Sequence, residues 1–214
     1  MDIFLLILEL IGTVAFAASG AMTGLRKGMD IFGVAILGVI TAVGGGVLRD
    51  VLLGIPPPNA FRNPLYALVS LGTAIICFIP AMQRFMARNR LNYDRCLLIM
   101  DSIGLGVFTV MGICIAQETA ADFNIFFLIF VGVITGVGGG VLRDTLAGDP
   151  PYIFVRHIYA CASLAGALAC CLLWRPLGDT WAMLIGMAVV LLLRYLAAHF
   201  HWNLPKAHPE LYNF

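Results

Sequence analysis

Two seven-residue segments carry the chemistry of this chain: Gly-Gly-Gly-Val-Leu-Arg-Asp at residues 44–50 and the same seven residues at 138–144. Each puts an Arg-Asp doublet, Arg49-Asp50 and Arg143-Asp144, inside a long apolar run. A charge at such a depth in hydrocarbon is costly, so by default it is paired or functional. Three glycines in succession cost a helix about 1 kcal/mol each relative to Ala. That cost is offset if Gly44, Gly45, Gly46 and Gly138, Gly139, Gly140 each break a helix. The freed carbonyls and half-helix ends would then face a water path near the bilayer midplane. The alternative is close helix packing by small residues at four-residue spacing, which fits Gly20/Gly24, Gly132/Gly136 and Gly136/Gly140. A packing face gains nothing from three glycines in a row, so the break is the reading favoured for the triplets. A phosphate-binding loop does not fit, since no Lys follows either triplet.

Partners for the charges are sought elsewhere. Neighbours on a helix point about 100° apart, so the two members of each doublet are not expected to face one another. Depth suggests the pairs Arg49–Glu9 and Arg143–Asp101, one on each side of midplane. The competing reading has both arginines snorkelling to the interfaces as anchors. Ser19, Thr41 and Thr135 could supply hydroxyls to a pore wall, as could Thr109 and Ser102, although such residues commonly bond their own helix backbone. His157, His199, His201 and His208 fall at span ends or in the tail, as interface residues do, and Trp174, Trp181 and Trp202 stand where an aromatic belt would put them. No Ser/His/Asp, Cys/His or paired-carboxylate arrangement has catalytic spacing, so nothing supports an enzyme.

The elements that must position these residues follow from composition. Of 214 residues 61% are hydrophobic and 12% charged, and the mean hydropathy is +0.95. Such values define an integral membrane protein. Thirteen Lys and Arg against twelve Asp and Glu leave a net charge of +1, without the basic field that nucleic acid would require. A span crossing ~30 Å of hydrocarbon takes about 20 residues, so six or seven spans use nearly the whole chain. Apolar runs and polar or Pro breaks give seven: about 3–22, 31–53, 63–81, 97–116, 124–147, 157–174 and 180–199. No Lys or Arg precedes the first run, so it is expected to remain as a helix rather than act as a signal peptide. Six cysteines form no C-x-x-C pair and no zinc-ligand spacing, and they read as small apolar packing residues.

Loop cations set the orientation. With the N-terminus outside, inner loops hold Arg26, Lys27, Arg84, Arg88, Arg90, Arg95, Arg156 and Lys206, against Arg62 and Arg175 in outer loops. The C-terminus is then cytoplasmic and the setting a cell inner membrane.

Residues 38–57 and 132–151, at an offset of 94, differ at only four of 20 positions. The likeness extends to Glu9-x-Ile11-Gly12 against Asp101-x-Ile103-Gly104, and to Arg62…Tyr66 against Arg156…Tyr159. The unit is a three-helix block used twice, at about 3–81 and 97–174, followed by an unpaired seventh helix at about 180–199. An odd number of spans per block inverts the second copy, which makes the fold an all-α polytopic one with two inverted repeats. Proteins that move solutes often have that design, with the path at the repeat interface.

Seven helices, a three-plus-three repeat, the doubled Gly-Gly-Gly-Val-Leu-Arg-Asp and its trailing Gly-x-Pro-Pro (Gly54 to Pro57, Gly148 to Pro151) together resemble the prokaryotic branch of the trimeric intracellular cation (TRIC) channels. The resemblance covers essentially the whole chain. It implies a homotrimer in the lipid bilayer with a pore in each protomer, lined by kinked second and fifth helices, passing K⁺ and Na⁺ in preference to anions and needing no cofactor. It places the kinks at the two glycine triplets, with Arg49, Asp50, Arg143 and Asp144 beside them. The basic lipid-binding motif of the eukaryotic branch is not found here. Some bacterial relatives with this repeat have been considered small amino acid transporters, so a secondary transporter of a substrate such as glycine is the second reading.

Overall fold

The computed structural model describes residues 3–87, 90–119, 124–155 and 158–202. Arg88, Arg156, His157, Lys206 and His208 therefore lie outside the described residues. Among the described residues ten helices follow in order: α1 (Ile3–Arg26), α2 (Ile31–Leu52), α3 (Asn59–Arg62), α4 (Leu65–Phe78), α5 (Pro80–Ala87), α6 (Arg90–Thr119), α7 (Ile125–Leu146), α8 (Tyr152–Val155), α9 (Ala160–Leu177) and α10 (Asp179–His199). Six of them (α1, α2, α6, α7, α9 and α10) are long and apolar enough to cross a membrane. The expected third span differs. It is divided at Ile79–Pro80 into α4, 14 residues long, and the short α5. Pro80 has no N–H to continue the ladder and biases Ile79 to the extended backbone it adopts, at ψ 132.

The repeat is visible in the way its central helices begin and end. Asp30 caps α2 by accepting from Gly33 N at 2.8 Å, and Asn124 caps α7 by accepting from Phe127 N at 2.9 Å. Gly54 (φ 67) and Gly148 (φ 70) close the two helices in the left-handed region. Ile55 N then donates to Asp50 O, and Asp149 N to Asp144 O, each at 2.9 Å.

Helices α1, α2 and α4 form one bundle and α6, α7 and α9 the other; α2 crosses α7 at the centre, and α10 packs on α9 and α6. The crossing is reciprocal. A Cβ on Gly45 would stand 2.2 Å from Thr135 O, and one on Gly139 would stand 2.1 Å from Thr41 O. Contacts exchanged in that way are those of a two-fold relation. Phe16 and Phe108, also repeat mates, stack on each other with centroids 5.3 Å apart.

Here the expectation of broken helices is corrected. Helices α2 and α7 run unbroken through Gly44–Gly46 and Gly138–Gly140. What offsets the propensity cost is proximity: with hydrogens in place of methyl groups, two backbones pass at a distance that any side chain at Gly45 or Gly139 would forbid.

Apolar packing fills the remaining interior. Cys114, Cys170 and Cys171 belong to one cluster with Val107, Val110, Met111 and Met183, and Cys77 lies in another with Met22 and Val34. All six cysteines are free. Cys161 departs from the packing role, since it is exposed on the surface of α9.

Candidate functional site

The two Arg-Asp doublets share one local geometry and occupy two different surroundings. In both, the arginine turns back onto its neighbour: Arg49 Nε donates to Asp50 Oδ1 at 2.8 Å, and Arg143 Nε donates to Asp144 Oδ1 at 2.8 Å. The expectation that neighbouring residues would not meet is therefore corrected. Backbone vectors do diverge, but a guanidinium on three methylenes spans the gap. The other carboxylate oxygen caps the next segment, with Asn59 N donating to Asp50 Oδ2 at 2.6 Å and Tyr152 N to Asp144 Oδ2 at 2.8 Å.

Around Arg143 the surroundings are closed. Its side chain is fully buried; Nη1 donates to Asp101 Oδ1 at 2.6 Å and to Ser19 Oγ at 2.5 Å. The expected Arg143–Asp101 pair is present. Asp101 also faces Arg194, whose Nη2 lies 3.5 Å from Oδ2 and whose Nε donates to Ser102 Oγ at 3.3 Å. Tyr159, 2% exposed, brings its hydroxyl to Asp101 Oδ1 at 3.4 Å. The Arg194 guanidinium lies 4.9 Å above the Tyr159 ring, and Arg143 stands 4.9 Å over Tyr152. Two arginines and two aspartates balance, so this buried cluster has no net charge. Neither Arg194 nor Tyr159 was singled out as part of a site from the sequence. A cation in the seventh span, eight residues past Gly186 on the same helix, was the signal for the first. The repeat likeness between Tyr66 and Tyr159 was the signal for the second.

Around Arg49 the surroundings are open. A cavity of about 620 Å³ is lined by Leu5, Glu9 and Thr13 of α1, by Ala42, Val43, Gly46, Arg49 and Asp50 of α2, and by Phe108, Ile115, Glu118 and Thr119 of α6. Arg62 and Tyr66 complete its wall from α3 and α4. The expected Arg49–Glu9 pair is corrected: the ion-pair partner of Arg49 is Asp50, and Glu9 Oε2 instead accepts from the Tyr66 hydroxyl. The phenol on α4 reaches the carboxylate while the guanidinium is held by the residue beside it. The interface-anchor reading fails too, because Arg49 is 4% exposed and Arg143 fully buried.

The hydroxyls divide as well. Thr41 and Thr135 each donate back to their own helix, to Leu37 O and Val131 O at 2.6 Å. Thr109 and Ser102 do likewise, to Leu105 O and Leu98 O at 2.7 Å. Ser19 and Ser102 also join the buried cluster, where they accept from Arg143 and Arg194. At that end Arg26 and Lys27 also pair with Asp149 across the two repeats, Arg26 at 3.6 Å.

The fold and the mirrored doublets define a class, the inverted-repeat membrane proteins with two crossing central helices. A family model described as "Glycine transporter" matches residues 6–81 and 98–175. The chain is 38% identical over 200 residues to a UPF0126 membrane protein of Deinococcus radiodurans, covering 92% of this chain and 89% of that one. It is 35% identical over 202 residues to the UPF0126 inner membrane protein YadS of Escherichia coli (strain K12), covering 92% and 93%. Among solved structures, a prokaryotic TRIC channel in 0.5 M KCl superposes with a TM-score of 0.86 at 32% identity, covering 95% of this chain and all of that one. The TRIC orthologue from Rhodobacter sphaeroides superposes at 0.84 with 35% identity, covering 94% and 100%. The chain belongs to the prokaryotic trimeric intracellular cation (TRIC) channel family.

Proposed function

We propose that the chain is a monovalent-cation channel passing K⁺ and Na⁺, with one pore in each protomer of a homotrimer, the N-terminus outside and the C-terminus cytoplasmic. The observation that carries this reading is the cavity against the outer half of α2: it descends past Gly46 to Phe108 and holds Glu9, Asp50 and Glu118 against Arg49 and Arg62, a net charge of −1. A water-filled recess with an acidic balance favours cations at its mouth, because low-dielectric walls focus the field of its charges. The neutral Arg143 cluster lies at the other end of the crossing, where it fills the equivalent space. The path then runs along the α2–α7 crossing and is shut at the Arg143 end. Solved TRIC channels at 32–35% identity support the assignment. Arg26 and Lys27 at the shut end support its cytoplasmic placement.

A recess open at one end and shut at the other is also one state of an alternating-access carrier, and the cavity offers charges of both signs to a zwitterion. That observation keeps a small amino acid such as glycine as the second substrate class. One preparation separates the two. Purified protein in planar bilayers under a KCl gradient is expected to give discrete currents reversing near the K⁺ equilibrium potential. Electrical silence with saturable counterflow of labelled glycine in liposomes would establish the carrier.

A further inference from the structure

We propose that Glu9 is the residue that sets cation over anion preference, an inference that rests on the channel reading. The other charges along the cavity are occupied or peripheral. Arg49 and Asp50 form a 2.8 Å ion pair, whose fields cancel over the dimensions of a hydrated ion. Arg62, at the exposed rim, donates through Nη2 to Pro56 O at 2.7 Å. Glu118 lies in the exposed last turn of α6, with Cys114 Sγ 3.8 Å from its Oε1.

Glu9 is placed differently. It stands on α1 inside the recess, half-buried. Its hydrogen-bond partner is the neutral hydroxyl of Tyr66, which fixes the carboxylate without cancelling its charge. Among the described residues no cation lies within ion-pairing distance of it. Its repeat mate Asp101 has two arginines, Arg143 at 2.6 Å and Arg194 at 3.5 Å. The same sequence position thus holds a charge spent on structure in one repeat and a charge facing solution in the other. A carboxylate at the wall of a narrow aqueous recess raises local cation concentration and lowers that of anions. Tyr66 is a positioning residue for it.

The test is the K⁺/Cl⁻ permeability ratio from reversal potentials under a KCl gradient, measured on the intact protein. Glu9→Gln keeps the size of the side chain and an acceptor for Tyr66. It is expected to lower the ratio about 25-fold, because one unit charge some 4 Å from a permeating ion in water favours K⁺ about fivefold and disfavours Cl⁻ about fivefold. Glu9→Asp is expected to retain most of the ratio, and Glu118→Gln to change it less than Glu9→Gln does. An unchanged ratio in Glu9→Gln protein with the melting temperature and oligomer size of the wild type would overturn the role of Glu9. So would a larger loss in Glu118→Gln. A wild type without current would overturn the channel reading itself, a result distinct from either.

Discussion

The end of α2 and the end of α7 carry the same seven residues, yet one borders a cavity of about 620 Å³ and the other is packed shut. The difference comes from outside the motif. At the shut end Tyr159 stands against Gly140, and a Cβ there would meet its hydroxyl at 2.8 Å; at the open end a Cβ on Gly46 would meet only Arg49 Nη2, at 3.7 Å. The second cation of the shut end, Arg194, comes from α10, which has no counterpart in the first repeat. Asp149, which binds Arg26 and Lys27 across the repeats, has Ile55 as its mate. An inverted repeat therefore supplies a symmetric crossing, and the unrepeated helix together with a few substitutions makes one end structural and leaves the other accessible.

The comparison is sharpened first at the crossing, where the ends should not differ. Gly45→Ala and Gly139→Ala each drive a methyl group to within about 2 Å of a backbone carbonyl that cannot yield cheaply. Both are expected to cost at least ~3 kcal/mol, read as loss of folded protein in detergent melts. A large loss in only one would break the two-fold relation. Next, Asp101→Asn is expected to cost about 3 kcal/mol or more, because it leaves Arg143 and Arg194 buried beside a neutral group. Glu9→Gln should cost under about 1 kcal/mol in the same melts, since no cation depends on it.

Smaller effects separate the ends further. Gly46→Ala gains up to ~1 kcal/mol of helix propensity with open space to receive the methyl group, so its melting temperature is expected to rise. Gly140→Ala has the same gain but must displace the buried Tyr159, and a net loss of about 1–2 kcal/mol is expected. The smallest effect is that of Asp149→Asn, at most ~1 kcal/mol in low salt and less in high salt, because the Lys27 and Arg26 pairs are partly solvated.

Much of this was legible in the sequence because membranes and duplications leave strong marks. Apolar runs located six spanning helices, and the 94-residue offset gave the inverted repeat and hence the mate of every motif residue. The pair Arg143–Asp101 followed from depth alone. Depth failed for Arg49 because it ranks neighbours by height and ignores which side chain arrives first; Tyr66 holds Glu9, and Asp50 holds Arg49. The glycine triplets were misjudged for a related reason. Helix propensity measures the cost of Gly within its own helix, whereas the compensation lies in Thr41 O and Thr135 O on the opposing helix of the crossing, which no local rule contains. Arg194 was visible as an intramembrane cation, but its partner is 93 residues away on another helix.

The asymmetry of the two ends is tested most directly by two repeat mates that differ only in surroundings, Val43 on the cavity wall and Val137 in the core. Each is replaced by cysteine, Val43→Cys and Val137→Cys, a change too small to disturb the crossing. Modification by a cationic, water-soluble thiol reagent is then followed in liposomes against the wild-type background. Rapid modification of Val43→Cys with protection of Val137→Cys is the expected result. Equal rates at the two positions would contradict the division of the molecule into an open and a shut end.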